Sequence, residues 1–346
     1  MFSKGFKIVD KKRFDLYIEE VSPQEDEAIV KIETAALCKA DLRYYLGDRD
    51  ARTLGLKYPM NLIHEAVGVV VKDPTGRFQS GQRVTLCPNI VSEEDRQKYK
   101  VCRMEGLGEN YCPTASFASS NYNGFSRSYL SFKADNLIPL PEGLPNSVLV
   151  FSELISVAIS ALRRIPILAN DVIGIWGDGV VGYILQAVLS VIHKGRVIVV
   201  GKHDDKLRKF EGAVTYKYTD EKLRNEQIDI AVECIGGRAA ESGIDQIIDV
   251  IQPGGRVILT GVTESKVAIN TRKILEKGIS MYGVTRSNVE DFKKATALFY
   301  HRDFCRKIES LVLDELTILD INDYYAVFEK EADNRDLGKY VMHFMF

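Results

Sequence analysis

The sequence predicts a two-domain α/β protein, in which a β-rich domain is interrupted by a doubly wound parallel sheet. Three observations lead there. The chain has 346 residues, 45% of them hydrophobic, which is too much for one core and ample for two. Residues 6–140 are short alternating runs, such as 28–35 and 65–72, separated by Gly, Pro and Asp clusters, the pattern of half-buried strands. From Asp171 onward the texture becomes strand, turn and helix in alternation, which demands parallel strands joined by right-handed crossovers.

Taken in order, the β-rich text has a barrel-like pattern and ends near Asn146. Residues 152–164 then carry apolar side chains at helical spacing. Strands are expected at 172–176, 196–200, 228–235, 255–261 and 279–284, each followed by a helix. Helical text resumes over 289–301, and the mixed tail to Phe346 returns to the first domain. The resulting division is 1–147 for the β-rich domain, 148–287 for the inserted domain and 288–346 for the return segment.

The formal net charge is only -2, so no global field recruits nucleic acid or an anionic membrane. The N-terminus, MFSKGFKIVDKKRF, scatters charges where a secretory signal needs an unbroken apolar stretch, so a cytoplasmic protein is expected. Six cysteines in such a chain suit buried thiols or metal ligands better than a disulfide framework.

The strongest motif is Gly177-Asp178-Gly179-Val180-Val181-Gly182, entered from a strand and opening an apolar helix. Such a glycine turn lets the backbone approach a pyrophosphate, and the helix N-terminus offers N–H groups and a positive dipole end to it. A dinucleotide-binding Rossmann domain follows. The end of the next strand discriminates between cofactors, because a carboxylate there favours the ribose hydroxyl and repels a 2′-phosphate. Here it reads Val200-Gly201-Lys202-His203, with Lys206 nearby, so positive charge favours NADP(H); the other reading leaves Lys202 in solvent and gives the ribose to Asp204 or Asp205.

A second constellation has the chemistry of a metal site. Cys38, His64 and Glu65 bring a thiolate, an imidazole and a carboxylate, and Glu153 is the one charge in the apolar stretch 147–162, costly to bury unless it meets a cation. Singly these residues read as a core thiol, a core histidine and a first-turn helix acid; beside a dinucleotide fingerprint they read together as a zinc centre.

The series Cys38-x-x-Asp41, His64-Glu65, Gly68, Gly81-x-Arg83-Val84, Gly177-x-Gly179-x-x-Gly182, Glu233-Cys234-x-Gly236 and Pro253-Gly254-Gly255-Arg256-Val257 resembles the medium-chain, zinc-dependent alcohol and polyol dehydrogenases over nearly the whole chain. The resemblance implies a GroES-like catalytic domain with an inserted Rossmann domain and one catalytic zinc ion. It makes Cys38 and His64 ligands, places Glu65 at or just behind the metal, and puts Glu153 where polyol-type members carry a glutamate. It has Asp41 accept the other N–H of His64, and Arg286 lie where many members contact the cofactor.

Two departures stand out. Ala40 occupies the position of a hydroxyl residue that relays the alcohol proton, so the relay must run through water held by Glu65, Glu153 or Tyr44. Cys87, Cys102 and Cys112 are too few and too widely spread for the structural zinc of many relatives, and 92–112 reads as a remodelled surface loop.

A narrower resemblance is carried by Cys38-x-Ala40-Asp41-x-Arg43-Tyr44-Tyr45-x-Gly47-x-Arg49-Asp50, Pro59-Met60-x-Leu62-Ile63-His64-Glu65, Gly174-Ile175-Trp176-Gly177-Asp178-Gly179, Glu233-Cys234-x-Gly236-Gly237-Arg238 and Asn270-Thr271-Arg272-x-x-Leu275-Glu276-Lys277-Gly278. It points to the bacterial ribulose-5-phosphate reductases, also called ribitol-5-phosphate dehydrogenases. It implies NADPH-dependent reduction of D-ribulose 5-phosphate, a pathway cytidylyltransferase as neighbour and possible partner, and CDP-ribitol for teichoic acid or capsule. A homodimer or homotetramer is expected. Arg43, Tyr44 and Arg49, close in sequence to Cys38, are the candidate phosphate-binding group, since a guanidinium pairs bidentately with phosphate. Two competing readings are a dehydrogenase of another polyol or secondary alcohol and a non-catalytic NADP(H)-binding sensor.

Overall fold

The structure is a computed structural model that describes residues 1–346. It divides into two compact units, the first made of residues 1–156 and 287–346 and the second of 157–286. No helix is long and apolar enough to cross a membrane.

The first unit is built on a seven-stranded sheet. Its path runs Leu137–Pro139, Arg83–Leu86, Glu65–Lys72, Glu27–Ala36, Lys339–Phe344 and Val312–Ile318, with Tyr129–Lys133 also paired to Glu27–Ala36. The long strand Glu27–Ala36 alternates apolar residues onto a core that holds Val30, Ile32, Phe125, Tyr324 and Phe328. At its end Ala36 stands opposite Glu65 on one neighbour and Val341 on the other. That register places Cys38, Glu65 and Lys339 at one end of the sheet, although Lys339 follows Glu65 by 274 residues. The tail of the chain, residues 287–346, is part of this unit.

The second unit holds a six-stranded, all-parallel sheet in the order Val214–Lys217, Val197–Gly201, Ile173–Trp176, Ile228–Glu233, Ile251–Leu259, Ser280–Gly283. In chain order this is 3-2-1-4-5-6, the strand order of a dinucleotide-binding Rossmann sheet. Ile173–Trp176 and Val197–Gly201 are buried along their whole length, as expected of strands covered on both faces. Burying each Val, Ile or Leu of such strands contributes roughly 1.5–3 kcal/mol. Five of the six strands match those expected from the sequence. The sixth, Val214–Lys217, was not expected; it is an edge strand whose residues alternate between half-buried and exposed, too short and polar to stand out. The helix expected over 289–301 is Val289–Leu298, and a second helix, Arg302–Glu309, follows it.

The segment read as a surface loop holds the short helix Glu93–Lys98 and two single 3₁₀ turns. Cys102 and Cys112 share a small cluster there with Val91 and Ala115, whereas Cys87 packs elsewhere, against Ile138 and Phe292.

Candidate active site

Cys38 sits where the strand Glu27–Ala36 gives way to the helix Lys39–Leu46, and Asp41, one turn into that helix, turns back to accept from the Cys38 N–H at 3.2 Å. His64 and Glu65 come from the start of the neighbouring strand Glu65–Lys72. The Cys38 thiol, a ring nitrogen of His64 and a carboxylate oxygen of Glu65 lie within 4.8 Å of one another. A soft thiolate, an imidazole and a carboxylate at this spacing form a donor set suited to zinc, three donors where a tetrahedral ion takes four.

Asp41 is fully buried, and Nδ1 of His64 stands 3.4 Å from its Oδ2. A carboxylate facing Nδ1 keeps the hydrogen there and leaves the Nε2 lone pair for a metal. Burial alone would lower the His64 pKa, but the charges of Asp41 and Cys38 overcome it and hold it well above the usual value. The same pairing carries Asp41 below the ordinary carboxylate range against its own burial.

Glu65 is 0% exposed, and both of its oxygens contact the Lys339 ammonium, at 2.5 and 2.6 Å. Sequence reasoning missed Lys339. The signal was there: a lysine opening the apolar strand Lys339–Phe344 raises the same question as Glu153 does. Glu153, in the first turn of the helix Ser152–Leu162, is 4% exposed and lies outside the tight three-ligand set. Burial first, then the charges of Glu65 and Asp41, push its pKa up to about 7, against the pull of His64 and Lys339. It thus shares one electrostatic environment with the cluster.

Arg43 and Tyr44 lie on the helix that follows Cys38, and Arg49 just beyond its left-handed Gly47 cap. Both arginines are half-buried. Tyr44 is a core residue, 4% exposed, with the Arg49 guanidinium 5.2 Å above its ring and its carbonyl accepting from the Tyr58 hydroxyl.

In the second unit the glycine turn joins the strand Ile173–Trp176 to the helix Val180–Ile192. A Cβ at Gly182 would stand 2.0 Å from the carbonyl oxygen of Gly177, so no side chain fits where helix and strand meet. Val180 and Val181 form the first turn of that helix, whose N-cap is Gly179. Lys202 and His203 are exposed and Lys206 half-buried at the end of the next strand. An acid is nevertheless present there, supplied by the glycine turn itself: Asp178 Oδ2 accepts from the N–H groups of Lys202 and His203, both at 2.7 Å, and lies 3.1 Å from His203 Nδ1. Gly201 makes room for it, since a Cβ there would meet the Asp178 carboxylate at 2.8 Å. Asp204 is paired with Lys217 at 2.6 Å. Arg286, half-buried, takes a left-handed backbone conformation, φ 61°, at the end of this unit.

Comparison with known proteins agrees with both halves of this description. Residues 24–142 match the alcohol dehydrogenase GroES-like domain, and residues 181–300 the zinc-binding dehydrogenase domain. Over 347 residues the chain is 35% identical to ribulose-5-phosphate reductase 1 of Staphylococcus aureus, covering 99% of each protein. It is 32% identical to the ribulose-5-phosphate reductase of Streptococcus pneumoniae, over 92% of this chain and 90% of the other. Among solved structures, that of S. aureus TarJ in complex with NADPH superposes with a TM-score of 0.85 at 31% identity, covering 100% of both chains.

Proposed function

The chain belongs to the medium-chain zinc-dependent dehydrogenases, in the group of the ribulose-5-phosphate reductases, and from that premise we propose that it reduces D-ribulose 5-phosphate to D-ribitol 5-phosphate. The observation that carries this reading is the convergence of Cys38, His64 and Glu65 on one point. The substrate follows from identity of 32–35% along almost the full chain to proteins named for that reaction, and the choice of NADPH from the relative bound to it.

When bound, zinc supplies a Lewis acid for the ketone oxygen and NADPH supplies the hydride. Cys38, His64 and Glu65 would hold the metal, Asp41 orients His64, and Lys339 balances the charge of Glu65 so that this carboxylate can remain ionised in a dry site. With Ala40 lacking a hydroxyl, the product proton needs another route. Tyr44 is packed in the core and both oxygens of Glu65 face Lys339, which leaves Glu153 as the carboxyl that passes it on. Arg43 and Arg49 receive the substrate phosphate. The turn Gly177–Gly182 cradles the pyrophosphate, and Lys202, His203 and Lys206 surround the 2′-phosphate, with Arg286 a further cofactor contact. The protein works in the cytoplasm as a homodimer or homotetramer, and its product passes to a cytidylyltransferase.

The test is NADPH oxidation with ribulose 5-phosphate, ribulose and sorbitol in parallel, repeated after chelation and after zinc is restored. Turnover confined to the phosphorylated ketose and recovered with zinc is expected. Equal rates on ribulose would reassign the substrate, and rates untouched by complete zinc removal would reject the metal centre.

A further inference from the structure

We propose that Ser119 is a positioning residue of the metal centre, acting through Asp41 to fix the direction of His64. The proposal rests on the reading of Cys38, His64 and Glu65 as metal ligands. Three hydrogen-bond donors and the His64 ring face the Asp41 carboxylate, which has no exposed surface. Oδ1 accepts from the Ser119 hydroxyl and from the Ile63 N–H, the latter at 3.0 Å. Oδ2 accepts from the Cys38 N–H at 3.2 Å and faces His64 Nδ1 at 3.4 Å. An ionised carboxylate offers about four lone-pair sites; these three donors occupy three of them and leave one facing the imidazole. Removing the Ser119 hydroxyl would leave a buried acceptor short of a donor and free the carboxylate to rotate away from His64.

The backbone supports the assignment independently. Ile63 and Ser119 are two of only four non-glycine residues with positive φ, at 75° and 61°, and both deliver their donor to the same oxygen. A β-branched residue rarely adopts that conformation, and such strain persists where the surrounding structure holds it for a purpose. The segment also contacts His64 directly, because the Phe117 ring packs 5.6 Å from the imidazole. The turn is secured without the hydroxyl: Phe117 N donates to Asn121 Oδ1 at 2.6 Å, Ala118 N to the Pro88 carbonyl at 3.0 Å and Ser119 N to the Tyr122 carbonyl at 2.9 Å. The side chain of Ser119 is therefore directed at the site and is not what closes the turn.

Ser119→Gly separates the two roles, since it removes the hydroxyl while relieving the left-handed strain; Ser119→Ala removes only the hydroxyl. Zinc affinity of the metal-free proteins would be measured by competition with a chromogenic chelator, beside the absorption spectrum of the cobalt-loaded proteins and urea unfolding. Zinc binding is expected to weaken about 10- to 100-fold in both variants, with an altered cobalt spectrum, and Ser119→Gly is expected to lose less stability than Ser119→Ala because it relieves the left-handed strain. In an Asp41→Asn background, Ser119→Gly should add little, because the two act as one unit. Zinc affinity unchanged in both variants, or lost only in step with stability, would overturn the proposal alone. A wild-type protein that takes up no zinc would overturn the reading of the centre and this proposal with it.

Discussion

Replacing Lys339 by methionine should destabilise the metal-free protein by about 3–5 kcal/mol, the usual cost of stripping one partner from a buried ion pair. The structure makes this an unusually clean case. The lysine side chain is 7% exposed and Glu65 0%, with the ammonium 2.5 and 2.6 Å from the two oxygens. Methionine keeps most of the stem and its packing, so the loss isolates the charge. Burial would lower the Lys339 pKa, but Glu65 raises it above its usual value, so the stabilisation is present at neutral pH and disappears only as pH climbs past the lysine range. The difference between wild type and variant should grow as pH rises through about 7, because losing the pull of Lys339 raises the buried Glu153 further and makes its ionisation costlier in the variant.

Urea unfolding of chelator-treated protein, followed by far-ultraviolet circular dichroism, reads the loss. Fluorescence of the single Trp176, in the second unit, serves as a control that should move less. Adding Glu65→Gln should restore part of the stability, because no unpaired charge remains, and zinc should shrink the effect in the single variant by neutralising Glu65 itself. A Lys339→Met protein within about 1 kcal/mol of wild type, or a double variant as unstable as the sum of its parts, would refute the argument.

Cys38→Ala or His64→Ala should abolish turnover with ribulose 5-phosphate while NADPH still binds, as followed by Trp176 quenching; loss of both together would make these residues structural. Lys202→Ala should raise KM for NADPH well above any change for NADH, and equal changes would remove Lys202 from the 2′-phosphate site. Gly182→Ala should abolish dinucleotide binding or unfold the second unit, since its Cβ would stand 2.0 Å from the Gly177 carbonyl oxygen; an active, stable variant would contradict the close packing. Arg43→Ala and Arg49→Ala should each raise KM for ribulose 5-phosphate at least about tenfold, the worth of a charge-assisted hydrogen bond, and leave KM for NADPH unchanged; equal changes for both would remove them from the phosphate site.

Much of this protein was legible in its sequence, and the reason is locality. Strand alternation in the first unit, the apolar strands of the second and the glycine turn that opens the helix at Val180 are patterns spanning a few residues, governed by periodicity and backbone sterics. The motifs Cys38-x-x-Asp41 and His64-Glu65 were legible for the same reason, each being a short run with its own geometry. The partners of those residues were not. Lys339 reaches Glu65 across 274 residues, Ser119 reaches Asp41 across 78, and Asp178 caps the turn at Lys202 and His203 from 24 residues away. These pairings arise from sheet register, the crossing of one chain segment over another, and the burial that forces each charge to find a partner. Local spacing determined which chemistry the chain carries; only the tertiary structure decided which neighbour holds each reactive group in place.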